Sequence, residues 1–249
     1  MRVAPVFLVV AATVFTFGCS RGGGDTGEGG KPAEVSPLGK ENIAVDMKCP
    51  EGLYGYKNAT NKECCVLDPE KAPLSSLQEQ DMEELESLCV IGHIGDEGVK
   101  VIAASEHLSK LKKIYLKDND IGPTGVEALA NSKSLSNLRQ LHMEMNFCGD
   151  EGARIIASSK TFKKLKGLNL TQNGIGNKGA TSLSKSTVLK ELRWLILKKN
   201  DLSDTGIRAL VKSKHLKNLK ILNVSENRIN PKQREKILNS APENLKLVL

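Results

Sequence analysis

Residues 111–137 read LKKIYLKDNDIGPTGVEALANSKSLSN, and the 27 that follow read LRQLHMEMNFCGDEGARIIASSKTFKK from Leu138. The same frame returns as LKGLNLTQNGIGNKGATSLSKSTVLKE from Leu165 and LRWLILKKNDLSDTGIRALVKSKHLKN from Leu192. A fifth copy opens at Leu219 as LKILNVSENRI and then drifts. Upstream, Ile94–Gly98 and Val99–Leu108 form a degenerate copy whose strand half is weak. Four gapless copies at one period describe a chain built of stacked units that share one interior.

Each column of the repeat has a physical task. Leu111, Ile114 and Leu116 should point inward from a short strand, as should Leu138, Leu141 and Met143 one copy later. Asn119, Asn146, Asn173, Asn200 and Asn227 stand where the chain leaves the sheet. A buried bend there leaves amides without regular partners, at about 1–3 kcal/mol each. An asparagine side chain both donates and accepts, so it can bridge to the backbone of the adjacent copy. Ile121, Cys148, Ile175, Leu202 and Ile229 fill the turn core, while Gly98, Gly125, Gly152, Gly179 and Gly206 sit at helix starts where two backbones pass closely. Val126, Leu129 and Ala130 give a buried helix face, and Leu135 returns the chain to the core.

The pattern L-x-x-L-x-L-x-x-N-x-I-G-x-x-G resembles the leucine-rich repeats of the ribonuclease-inhibitor subclass, over roughly residues 84–249. The resemblance implies an α/β leucine-rich repeat solenoid, a curved parallel sheet on the concave side and helices on the convex side. It also implies a non-catalytic module that binds other proteins; the alternatives are an inhibitor or sensor of a secreted enzyme, by fold analogy, and a structural envelope protein without a selective partner.

A second reading competes for one stretch. Gly174, Gly176 and Gly179 in NGIGNKG spell G-x-G-x-x-G between an apolar run and a helical one, the setting of a dinucleotide phosphate loop. Gly176 and Gly179 have sister glycines in other copies, whereas the sisters of Gly174 are Asp120, Phe147 and Asp201. A uniform solenoid also lacks the strand-order reversal that makes a nucleotide crevice. The stretch reads as a turn, and no cofactor is expected.

The first residues, MRVAPVFLVVAATVFTFGCS, place Arg2 before an apolar run from Val3 to Phe17. The run is shorter than the roughly 20 residues a membrane span needs, so it reads as an export signal. Gly18-Cys19 resembles a bacterial lipobox, which implies cleavage and lipidation at Cys19, although Thr16 and Phe17 depart from the preferred residues. An ordinary cleaved signal is the alternative. SRGGGDTGEGGKPAEVSPLGK, residues 20–40, holds too little apolar surface to fold and reads as a tether. The expected organisation is a signal peptide at 1–18, a tether at 19–45, a cysteine-containing cap at 46–83 and the repeats at 84–249. Localisation follows as a lipid-anchored protein of the bacterial envelope, at the outer membrane.

Of six cysteines, Cys19 is the anchor and Cys148 falls in the turn core. Cys49, Cys64, Cys65 and Cys89 remain, and export favours two disulfides among them. A bridge between adjacent Cys64 and Cys65 is strained, leaving 49–64 with 65–89 or 49–65 with 64–89. At a spacing of 27, Cys89 aligns with Leu116, an inward position, so one bridge would staple the cap to the first repeat. A metal site at Cys64-Cys65 and His93 fits zinc spacing poorly.

The histidines lie in different repeats or columns, and no Ser or Cys stands with a base in a recognisable motif, so catalysis is not expected. Between the inward leucines, strand residues alternate outward onto the sheet face. The candidate partner-binding residues there are Tyr115, His142, Met145, Trp194, Ile196 and Lys198. Trp194 is the single tryptophan, and its set has the composition of an interface hot spot. Packing across Gly167 merely to cover the sheet is the competing account.

Just before the strands runs a basic column of Lys112, Arg139, Lys166, Arg193 and Lys220, at a strand spacing of about 4.8 Å. With a formal charge of +7 and a pI of about 9.0, this rim suits an acidic protein or an anionic envelope component rather than nucleic acid. Complementing helix dipoles is its other explanation. The reading is a monomer that meets the membrane only through its lipid.

Overall fold

The computed structural model describes residues 42–44, 49–50, 53–58, 63–70, 73–78 and 80–249. The signal segment, Cys19 and residues 20–41 of the tether lie outside them. Among the described residues one ten-stranded sheet runs in sequence order. Its strands are β1 (Asn42–Ala44), β2 (Tyr54–Asn58), β3 (Glu63–Leu67), β4 (Ser87–Val90) and β5 (Lys113–Tyr115). They continue as β6 (Gln140–His142), β7 (Gly167–Asn169), β8 (Trp194–Ile196), β9 (Ile221–Asn223) and β10 (Lys246–Val248). The first two pairings are antiparallel, and every pairing from β3 to β10 is parallel. Asn42–Ala44, read from sequence as part of the tether, thus forms a strand.

Parallel neighbours need a crossover, and helices supply it: α1 (Gly95–Ala104), α2 (Pro123–Asn131), α3 (Gly149–Ser158), α4 (Asn177–Ser184), α5 (Asp204–Val211) and α6 (Pro231–Leu238). Each packs on the next. Leu111, Ile114 and Leu116, with their counterparts Leu138, Leu141 and Met143, are fully buried. Phe162 takes the column of Leu135 and is equally enclosed. The α/β solenoid with a disulfide-stapled N-terminal end is therefore the observed architecture.

Three polar ladders bind coil to coil. Asn146 Nδ2 donates to Leu116 O at 2.8 Å while its Oδ1 accepts from Ile121 N at 2.9 Å. Asn173 and Asn200 repeat the arrangement, reaching Met143 O and Leu170 O. At the helix C-termini, Ser132, Ser159 and Ser186 donate Oγ to Ala103, Ala130 and Ala157 carbonyls of the preceding helix at 2.7, 2.6 and 2.6 Å. These serines occupy carbonyls that the helix itself leaves open. At the N-termini, the acid of one coil serves the next. Asp150 Oδ1 accepts from both Gly176 N and Gly179 N at 2.7 Å, and Asn177 Oδ1 accepts from Ser203 N and Gly206 N at 3.0 Å.

The glycine column answers to this ladder. A Cβ at Gly179 would stand 2.7 Å from Asp150 Oδ1, and one at Gly206 would stand 2.5 Å from Asn177 Oδ1. The nucleotide-like glycines are thereby accounted for, because a carboxylate of the protein already holds the two amides a phosphate would use. Gly174 is exposed at φ +67°, with open space beside it.

The structure pairs Cys49 with Cys65 and Cys64 with Cys89. With Cys64 and Cys65 both oxidised, neither supplies a thiolate to a metal, and His93 Nδ1 lies 2.8 Å from Asp120. One expectation is corrected. Cys89 stands in register with Tyr115, not Leu116, because the turn from β4 to Gly95 is one residue shorter than the turn from β5 to Gly122. A one-residue slip moves a side chain to the other face. Cys65 therefore joins the main core, whereas Cys64 and Cys89 pack with Val66, Ile91 and Tyr115 on the open sheet face.

Candidate protein-binding face

Two columns of side chains project from the sheet face away from the helices. Strand register places Lys113, Gln140, Gly167, Trp194 and Ile221 in one row and Tyr115, His142, Asn169, Ile196 and Asn223 in the next. Gly167 decides how they pack. A Cβ there would fall 1.9 Å from Trp194 Cζ2, so the missing side chain is the seat of the indole. Leaning across it, Trp194 comes within 5.3 Å of the His142 ring, and Tyr115 stacks on the other side of that ring at 4.4 Å. Three aromatic groups from β5, β6 and β8 thus form one row.

The row shields a polar centre. His142, expected to be exposed, is 6% exposed although it stands on the sheet face. Its Nδ1 faces Glu144 Oε1 at 3.6 Å, and Asn169 Nδ2 donates to the same oxygen at 2.6 Å. Burial, and then the charge of Glu144, push the Tyr115 phenol above its ordinary pKa of 10.0. Ile196 is half-buried beside Trp194, and Ile221 is 39% exposed. Met145 lies just beyond β6 at φ +57°. Lys198 is turned aside by Glu226, 2.7 Å away, whose carboxyl it holds below the usual range.

Sequence reasoning overlooked Phe147, the most exposed large hydrophobic described, at 68%. It occupies the column of Asp120, Gly174 and Asp201, and its departure from those small and polar neighbours was the available signal. The Cys64–Cys89 bridge on this face was hidden by the shortened turn.

The basic column also takes shape. Arg139 N donates to Lys112 O, Lys166 N to Arg139 O, Arg193 N to Lys166 O and Lys220 N to Arg193 O, each at 2.7–2.8 Å. The five residues therefore stack in register along the edge where the strands begin. Lys112 pairs with Glu86. Among the described residues, Arg139, Lys166, Arg193 and Lys220 have no carboxylate within 4.0 Å.

Comparison with known proteins agrees with the repeat. A leucine-rich repeat family model matches residues 107–130 and 163–184. No curated protein matches the sequence. A leucine-rich repeat protein of Leptospira interrogans has a similar solved structure, with 22% identity, a TM-score of 0.42, and coverage of 71% of this chain and 39% of that one. An internalin of Listeria monocytogenes gives 20% and 0.39, with 68% and 55% covered. A protein of Bacteroides fragilis gives 14% and 0.37, with 70% and 68% covered. The chain thus spans well under two thirds of the first two. With the matched columns, the coil-to-coil ladders and the parallel sheet in place, the chain has the fold of a leucine-rich repeat solenoid.

Proposed function

We propose that the protein is a non-catalytic interaction module of the bacterial envelope, tethered through Cys19, and that it binds a partner protein on the open sheet face. Leucine-rich repeat domains commonly bind other proteins with such a face. The row of Tyr115, His142 and Trp194, seated over Gly167 and continued by Ile196 and Ile221, carries the reading. Aromatic groups held rigid before contact lose little entropy on binding, and they dominate interface energetics. Met145 and Lys198 border the row. The ribonuclease-inhibitor likeness of the repeat belongs to the same proposal.

The test is recovery of a discrete partner by pull-down with the full chain, followed by the double substitution Trp194→Ala plus Ile196→Ala. Binding through this face weakens by roughly 30-fold or more in that variant. Equal recovery by both forms, or no discrete partner at all, assigns the aromatic row to covering the sheet and the protein to a structural role.

A further inference from the structure

We propose a second interaction surface, which adds a direct membrane contact to the lipid anchor that is the only one expected from the sequence: the flank where the strands begin lies against an anionic lipid bilayer, held by lipid phosphates. In each coil the strand and helix run in opposite senses, so helix ends, the short 3-10 turns and strand starts share this flank. Its four central segments at 132–139, 159–166, 185–193 and 212–220 carry thirteen lysines and arginines and a single carboxylate, Glu191. Two columns organise the flank, the rim of Arg139, Lys166, Arg193 and Lys220 and a second of Lys163, Lys190 and Lys217. Among the described residues none of these seven has an ion-pair partner. Glu106 and Glu243 stand at the two ends of the flank, and other acids are committed elsewhere. Glu84 and Glu86 neutralise Lys110 and Lys112 at the first coil, and Asp150 and Asp204 accept helix amides at the far flank.

Helix dipoles do not account for the charge. The last turns of α1 to α4 contain no basic residue, and the rim lies about eight residues beyond each helix end. Successive cations stand about 4.8 Å apart, well inside the roughly 8 Å screening length at physiological salt. They therefore repel one another until an anion is supplied.

The lack of an apolar anchor selects the partner. Leu135, Phe162, Leu165, Leu189 and Leu192 on this flank are all buried. A folded protein partner needs a desolvated centre, which the flank does not offer. A fluid array of phosphates needs only repeated cations, each adding to attraction. With this flank down, the strands stand upright on the membrane and the aromatic sheet face looks sideways, open to a partner.

Co-sedimentation of the full chain with vesicles of phosphatidylcholine, with and without about one third phosphatidylglycerol, tests the proposal. Comparing the two vesicles cancels the apolar N-terminus. The expected preference for anionic vesicles is at least tenfold at low salt. It disappears in Arg139→Gln, Lys166→Gln, Arg193→Gln, Lys220→Gln, whose fold is checked by circular dichroism, and it persists in Trp194→Ala plus Ile196→Ala. Free phosphate at matched ionic strength should compete no better than chloride. No preference for anionic vesicles, or one that survives the four substitutions, overturns the proposal. Binding to soluble polyglutamate without binding to vesicles also overturns it and points to an acidic protein. Because the residues differ, failure here leaves the sheet-face reading standing.

Discussion

Asn146 shows how one side chain can hold two coils. It is 2% exposed, with its Oδ1 shared by Asn119 N and Ile121 N and its Nδ2 directed at Leu116, Met143 and Glu144 carbonyls. Alanine there strands at least two buried backbone groups, so urea unfolding should show a loss of roughly 2–5 kcal/mol. Asn227→Ala, in the more exposed last full coil, should cost less. Gly167 makes the opposite point, since adding one methyl expels the indole. As Trp194 is the only tryptophan, Gly167→Ala should shift the emission of the protein to the red. Cys148 is fully buried and burial pushes its thiol up to about 12. Mass spectrometry after thiol labelling near pH 8 should find it modified only once the protein is unfolded. The asparagine and leucine columns were legible in the sequence because every coil meets the same surroundings. The Asp150 caps were less so, since their partners lie 26 and 29 residues on.

Among the elements, the cap is where the sequence misled and the structure corrected. Coils that repeat at 27 residues can be overlaid by counting, but β4 belongs to a coil with a shortened turn and no asparagine, so counting put Cys89 on the wrong face. The consequence is physical. One disulfide locks β3 into the core and the other lies on the sheet face against Tyr115. Replacing Cys64 and Cys89 by alanine opens a 25-residue loop, with an expected cost of roughly 2–4 kcal/mol. Hydrogen exchange should rise in β2 to β4 while β6 to β9 stay protected. Exchange that rises equally along all the strands would mean the cap and repeats unfold as one unit. The packing of Trp194 across Gly167 stood in the sequence as an alternative, but the burial of His142 that follows from it did not, because His142 lies two strands from Trp194.

For the whole molecule, charge and shape divide the labour. Acids serve the helix starts, cations accumulate unpaired at the strand starts, and the sheet face between them is aromatic at its centre. Raising sodium chloride from about 0.05 to about 0.5 M should raise the thermal midpoint by relieving repulsion along the rim. The rise should be smaller in the four-glutamine variant. The central claim is that the sheet face, not the helix face, meets the partner. Photo-crosslinking on intact cells tests it most directly, with the probe placed at Ile196 or Ile221 on the sheet and at Glu127 or Lys178 on the helices. A discrete crosslinked product from the sheet positions alone is the predicted result. The same product from the helix positions, or none from the sheet, would contradict the account.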